Sequence, residues 1–208
     1  PPVTMQNWFT ALLLTVFFAC CADLSAQRFG GGVFLGMAGS QINGDNLAGY
    51  NQYGFNGGFL TNITWGKKST AQLELAFIQK GAREPNSDTS NFYRARLNYI
   101  EIPLLYIYRW GEFSLEIGPA LDILVNSHEE TYGVEYESNP PFHRFNLTGI
   151  AGVNWHFSER MYINFRTNNS ILAIRDGNAP KTASPYIQFG YGQRNMVLSF
   201  ALVYTFNP

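Results

Sequence analysis

From Gln27 onward, apolar residues recur at every second position in eight separate segments. That period sorts residues onto the two faces of an extended strand. The second segment sets Tyr53, Phe55, Phe59, Ile63 and Trp65 against Gly54, Asn56, Asn62 and Thr64. In the third, Ala71, Leu73, Leu75 and Phe77 oppose Gln72, Glu74 and Lys80. The fifth opposes Phe113, Leu115, Ile117, Leu121, Ile123 and Val125 to Ser114, Glu116, Asp122 and Asn126. Phe145, Leu147, Ala151, Val153, Trp155 and Phe157 line the sixth, Met161, Ile163 and Phe165 the seventh, and Met196, Leu198, Phe200, Leu202, Tyr204 and Phe206 the last. The first (29–39) is rich in glycine, and the fourth (97–109) is apolar on both faces around Ile102-Pro103-Leu104. Helical spacing fits none of the eight well.

The connections sort themselves by length. Gly66-Lys67-Lys68-Ser69, Gly111-Glu112 and Ser158-Glu159-Arg160 are short, whereas 40–52, 82–94, 127–143 and 171–194 are long and polar. Long and short alternate strictly, which puts all long loops on one rim and all short turns on the other. Outer-membrane barrels are built this way, with the short rim periplasmic. The pattern predicts an all-β fold: an eight-stranded antiparallel up-and-down transmembrane β-barrel. Its apolar face would meet lipid.

Aromatic placement points the same way. Strands running toward the short turns end in Trp65, Tyr108 and Trp110, Trp155 and Phe157, and Tyr204 and Phe206. These seven are the expected girdle, because an amphipathic ring is best satisfied at the membrane–water interface. The alternating aromatics of residues 200–206 look like the terminal signal read by outer-membrane assembly machinery. Outer-membrane lipid and that machinery are therefore expected partners.

Composition agrees and narrows the classes. Of 208 residues, 14% are charged and 16% aromatic, which excludes a disordered chain. A formal net charge of −1 gives no basic field for nucleic acid. Beyond the N-terminus no apolar run reaches the roughly 18 residues of a spanning helix. Residues 1–26 read as a signal peptide with a non-native leader: Pro1 to Thr4 precede the first methionine, residues 9–19 form the apolar stretch, and Leu24-Ser25-Ala26 is the cleavage site. No Lys or Arg precedes that stretch, and Cys20 or Cys21 could instead carry a lipid anchor, although Phe17-Phe18-Ala19 is a poor lead-in to one. Cleavage after Ala26 leaves the barrel domain, 27–208, with no cysteine, and so with no disulfide and no zinc–thiolate site. No metal or other cofactor is expected.

With the apolar face outward, Glu74, Glu116 and Arg166 lie at similar heights above the short turns. They are expected to form a buried ionic cluster in the lower lumen, joined by Glu101, Asp122, Tyr99 and Tyr162, because buried charges must pair. An eight-stranded barrel is just wide enough for its own side chains to fill it, which argues against a diffusion pore. Pro103 and Pro119 fall nearly opposite each other across the Trp110-Gly111 turn, which predicts a bulge there. Catalytic constellations are weak. Ser127-His128-Glu129 and His143 make a hydrolase conceivable, and Glu129, Glu130, Glu135 and Glu137 raise calcium, but no Asp-rich calcium loop is present. The flanking loops carry Arg83 and Arg94, and Arg175, Lys181 and Arg194, which suffice to pair those acids.

Three stretches carry a family resemblance: 73–81 (LELAFIQKG), 97–105 (LNYIEIPLL) and Gly118-Pro119. Together they resemble the PorT-type outer-membrane β-barrel family of Bacteroidota. The resemblance implies an eight-stranded barrel, with some members serving the type IX secretion apparatus. The reading expected is a monomeric envelope scaffold or accessory subunit, linked to protein secretion, binding an unidentified protein partner through its long loops or periplasmic rim. Two others remain at this point. One is an outer-leaflet lipid-modifying enzyme; the other is a lipocalin-like soluble carrier with the faces inverted.

Overall fold

The computed structural model describes residues 28–45, 47, 49–85, 93–177 and 192–206. The expected signal peptide lies outside them, as do parts of the first, second and fourth long loops. Nine strands follow one another: β1 (Arg28–Asn43), β2 (Gln52–Trp65), β3 (Ser69–Arg83), β4 (Tyr93–Trp110), β5 (Phe113–Thr131), β6 (Val134–Tyr136), β7 (Phe145–His156), β8 (Met161–Ser170) and β9 (Arg194–Thr205). Eight of them form the wall, each antiparallel to its neighbours, and β9 pairs with β1 to close it. The ninth, β6, is a short strand on the edge of β5.

Closure comes with a defined stagger. From Phe29, cross-strand register partners run through Ile63, Ala71, Tyr106, Ile117, Ala151, Thr167 and Leu198, and return to β1 at Gly39. The circuit climbs ten residues along β1. Such a stagger tilts the strands by about 40–45° and sets the barrel's width.

The alternation seen in the sequence is the alternation of the wall. Leu73, Leu75, Leu115, Ile117, Phe165, Leu198 and Phe200 point out and are exposed, while Glu74, Glu101, Glu116, Asn154 and Asn164 are buried in the lumen. A soluble carrier needs the opposite arrangement, so the lipocalin-like reading is overturned. The lumen is not wholly polar, however. Small apolar clusters sit between its polar tiers, with Phe34, Leu60 and Val203 in one, Leu105, Ile107 and Ile150 in another, and Ala38, Ile78, Leu97 and Ile174 in a third.

Two expectations about the β4–β5 hairpin are corrected. No bulge occurs at the prolines: Pro103 pairs with Ala120, and Tyr106 with Ile117, in an unchanged register. Gly118, beside Pro119, has no Cβ to strike the Leu104 carbonyl oxygen, which lets the strands stay close across the interrupted ladder. The shift lies higher, where Tyr99 pairs with Leu124 but Asn98 with Asn126, leaving Val125 as the extra residue. The second correction follows from it. The stretch 127–131, expected as loop, continues β5 as strand with its faces exchanged, because an inserted residue reverses the alternation.

The closing seam depends on close backbone approach. A Cβ at Gly36 would collide with the Phe200 carbonyl oxygen and with Ala201. Gly36→Val is therefore expected to destabilise the closed wall by about 1–3 kcal/mol. The check is the urea midpoint of the detergent-folded barrel, read by its heat-modifiable mobility on gels.

Candidate functional site

The lumen is occupied from bottom to top by side-chain tiers. In the lower tier, Arg166 of β8 reaches across the barrel to two carboxylates. Its Nη1 and Nη2 donate to Glu74 of β3 at 2.8 and 3.0 Å, and its Nε donates to Glu116 of β5 at 2.8 Å. Gln72 Nε2 donates to Glu74 at 2.7 Å, and Asn154 and Asn164 donate to Glu116 at 3.1 and 2.9 Å. Both carboxylates thus receive neutral donors besides the guanidinium, as buried charges require. Below this tier, Ser114 Oγ lies 2.9 Å from His156 Nε2, and Tyr162 packs its ring 4.7 Å from that imidazole.

Glu101 and Asp122 do not join Arg166. They are cross-strand partners one tier higher, and Lys80 of β3 sits between them at 2.6 and 2.8 Å. Thr148 Oγ1 donates to Asp122 at 2.7 Å, Asn168 Nδ2 to Glu101 at 2.8 Å, and the ammonium lies 5.3 Å from the centre of the Tyr99 ring. The single cluster expected from sequence is thus two. Arg166 is already engaged by Glu74 and Glu116, and the higher pair of acids takes its own cation. Lys80 is legible in the sequence as an inward position of β3, but its partners are not.

A third group stands at the upper end of the lumen. Arg175 holds Glu129 through Nη1 at 2.9 and 3.0 Å, Tyr93 donates to the same carboxylate at 2.5 Å, and the Arg175 guanidinium stacks 4.4 Å over Phe142. Ile174, fully buried, tucks in beneath. Loops three and four therefore meet above the lumen.

The serine-hydrolase constellation does not assemble. Glu129 points inward and is buried, whereas His128 is on the outer face, with Nδ1 2.6 Å from Glu135. Adjacent residues of a strand face opposite ways, so Ser127, His128 and Glu129 cannot converge. His143 instead bonds the Ala173 carbonyl and approaches Asp176 at 3.5 Å. The acids of the third loop are likewise taken separately, Glu129 by Arg175 and Glu130 by Arg94 at 3.7 Å. Among the described residues no three His, Cys, Asp or Glu side chains gather as a metal site.

The seven girdle aromatics all stand exposed at the short-turn end: Trp65, Tyr108, Trp110, Trp155, Phe157, Tyr204 and Phe206. Trp155 pairs with Phe157 and Tyr204 with Phe206 at 6.0 Å between ring centres, and Lys68 lies 5.7 Å over Tyr108. Tyr53 and Phe145 are also exposed, at the other end of the wall.

Two expected outcomes follow from the tiers and the rim. Arg166→Met strands Glu74 and Glu116 together in the lumen and should destabilise the barrel by about 3–5 kcal/mol. Adding Glu74→Gln and Glu116→Gln should recover most of that loss in urea unfolding. At the upper rim, burial pushes the Asp45 carboxyl up to about 6, against the bond it accepts from the Leu47 amide. The folded first loop thus favours the neutral acid, so its stabilisation is complete below about pH 4 and fades as pH rises through 6. Limited proteolysis within 44–51 should be faster at pH 7 than at pH 5, and Asp45→Asn should flatten that difference.

Comparison with known proteins places this architecture. Among solved structures, the attachment invasion locus protein Ail of Yersinia pestis superposes with a TM-score of 0.50 at 13% identity, covering 86% of this chain and 99% of that one. Neisserial surface protein A gives 0.48 at 9%, covering 86% and 97%. OprG of Pseudomonas aeruginosa gives 0.36 at 14%, covering 88% and 96%. No match is found among the curated proteins. The family model for the outer membrane protein beta-barrel domain matches residues 22–174. That match covers most of the closed eight-stranded wall, and this chain belongs to the outer membrane protein beta-barrel domain family, a protein of the outer membrane.

Proposed function

We propose that the protein is a monomeric, non-catalytic envelope scaffold that holds a protein partner above the outer leaflet. The observation that carries this reading is the ribbon formed by the upper ends of β4 and β5 with β6. β7 pairs with β5 only as far as Ile123, while β4 stays paired with β5 up to Thr131. The ribbon therefore extends past the β5–β7 ladder, and β6 forms its outer edge. Its tip presents Tyr132 and Val134, each 67% exposed, and Tyr136.

Large apolar side chains at a loop tip do not serve the lipid belt, and they suit a protein contact. Tyr132 is held at a φ of 54°. A bulky residue there costs of order 1–3 kcal/mol, so the ring is kept at some expense to the turn. Among the described residues β6 pairs with β5 alone, so its other edge offers backbone groups that an extended partner segment could meet. Filled lumen tiers favour a scaffold over a pore. The PorT-type resemblance of 97–105 extends the reading to a Bacteroidota envelope complex with a link to protein secretion.

The test is affinity capture of the tagged barrel from detergent-solubilised envelopes, with mass spectrometry of what it retains. A reproducible protein partner is expected. Tyr132→Ser, Val134→Ser and Tyr136→Ser together should reduce its recovery about tenfold, as loss of a small aromatic cluster does. A partner retained in full by this folded triple variant would move docking to the periplasmic rim. No partner, together with altered outer-leaflet lipid on overexpression, would overturn the scaffold reading in favour of the enzyme.

A further inference from the structure

The lipid-facing side of the wall is not evenly filled. One outward row crosses β4, β5, β7, β8 and β9 as Tyr106, Ile117, Ala151, Thr167 and Leu198. The row beneath it reads Tyr108, Leu115, Val153 and Phe165, and above it β7 carries Gly149. Gly149, Ala151 and Val153 follow one another on the outer face of β7, with Thr167 beside them. They leave a trough between the larger side chains of β5 on one side and Phe165 and Leu198 on the other. It encloses about 780 Å³, within the roughly 300–1,000 Å³ of sites that take a small ligand. Ile171 bounds it above, with Cδ1 3.6 Å from where a Cβ on Gly149 would stand. From Tyr106 to Leu198 the trough takes four inter-strand steps, at about 4.8 Å each a run of roughly 19 Å. Strands tilted by about 40–45° carry that run some 13 Å up the wall, about half of an apolar band roughly 25 Å tall. The row leaves β1 at Phe29 and returns at Gly39, so the trough rises toward the long loops as it nears β9.

Its upper end is polar where alternation calls for apolar residues. Met161, Ile163 and Phe165 keep to the pattern on the outer face of β8, and Thr167 and Asn169 break it. Asn169 Nδ2 donates to Thr167 Oγ1 at 2.9 Å, which leaves the hydroxyl its own proton to give. Asn169 is 6% exposed, and its Oδ1 has no hydrogen-bond partner among the described residues, so the pair does not satisfy itself. Hydrocarbon offers no water to make up the difference, and a polar group without a partner there is costly. The polar group that a lipid itself brings beside its chain is the carbonyl joining that chain to the head.

We propose that this trough seats one acyl chain of an outer-leaflet lipid, the carbonyl of its acyl linkage accepting a hydrogen bond from Thr167 Oγ1. Position selects the occupant. The trough opens only onto the lipid side of the wall, its rise matches the depth of one leaflet, and its polar end is the end nearer the outer surface. The chain lies over Ala151 and Val153, against Ile117 and Leu115 on one flank and Phe165 on the other. The site stands apart from the β4–β5–β6 ribbon and does not depend on a protein docking at its tip.

The experiment titrates the delipidated barrel, folded in dodecylmaltoside, with dimyristoylphosphatidylcholine and counts bound lipid by native mass spectrometry. Folded species are selected by heat-modifiable mobility. One lipid should bind saturably, ahead of weaker ones. Ala151→Phe, which fills the trough from the lipid side, should weaken that first binding about tenfold. Thr61→Phe, a similar enlargement on the outer face of β2 across the barrel, should leave it unchanged. Thr167→Val keeps the shape of the trough and should weaken binding severalfold, the worth of one hydrogen bond. The dialkyl ether analogue of the same lipid has no carbonyl, so Thr167→Val should not change its binding. Equal first binding by wild type and Ala151→Phe would overturn the proposal, as would lipid uptake that never saturates. Equal losses of ester and ether lipid in Thr167→Val would overturn the carbonyl contact. A dimer of barrels abolished by Ala151→Phe would give the trough to a second copy of the chain and overturn the lipid as its occupant.

Discussion

A polypeptide crossing hydrocarbon must satisfy every backbone N–H and C=O within itself, because lipid offers no substitute for water. For a chain whose apolar residues alternate, the available solution is a sheet whose last strand pairs with its first. The β1–β9 ladder, from Gly32 with Thr205 to Asn43 with Arg194, is where this chain meets the requirement. Much else follows from that closure. Eight strands with a stagger of ten enclose an interior of one width, too narrow for a channel and too wide to leave empty. The inward positions must fill it, and the side chains that do so include charges that cannot stand alone.

The lumen answers with two cations and four acids in two tiers. Arg166 and Lys80 each bridge a pair of carboxylates from different strands, and neutral amides and hydroxyls take remaining oxygens. Each bridge links β5 to the opposite side of the barrel or to its neighbours, so the interior braces the wall as well as blocking it.

The bulge at Val125 decides what the upper rim can do. Below it, odd-numbered residues of β5 face lipid; above it, they face the lumen axis. Glu129 therefore turns inward to meet Arg175 and Tyr93, and His128 turns outward to join Arg94, Arg96 and Glu130. One inserted residue separates a would-be catalytic triplet and builds a charged outer face in its place. The same hairpin holds its register through Pro103 and Pro119, where a bulge was expected, because backbone gaps are tolerated wherever Gly118 allows close approach.

The period of two, the strict sorting of long and short connections, and the aromatic ends of the downward strands sufficed for the strand number, the outward face and the set of aromatics exposed at the short-turn end. These are local properties, set by which side of an extended chain each residue occupies. That Glu74, Glu116 and Arg166 should meet was also legible, since height above a short turn can be counted along a strand. Lys80's partners could not be counted, because they depend on which strands lie across the lumen and how far each is staggered. The bulge at Val125 was hidden for a related reason: an extra residue breaks the periodicity that the reading relies on. Sequence alone thus determined the wall, while tertiary structure decided which charges pair inside it and which face its upper ribbon shows to the membrane. The first depends on alternation along one strand, and the second on the register between strands far apart in the chain.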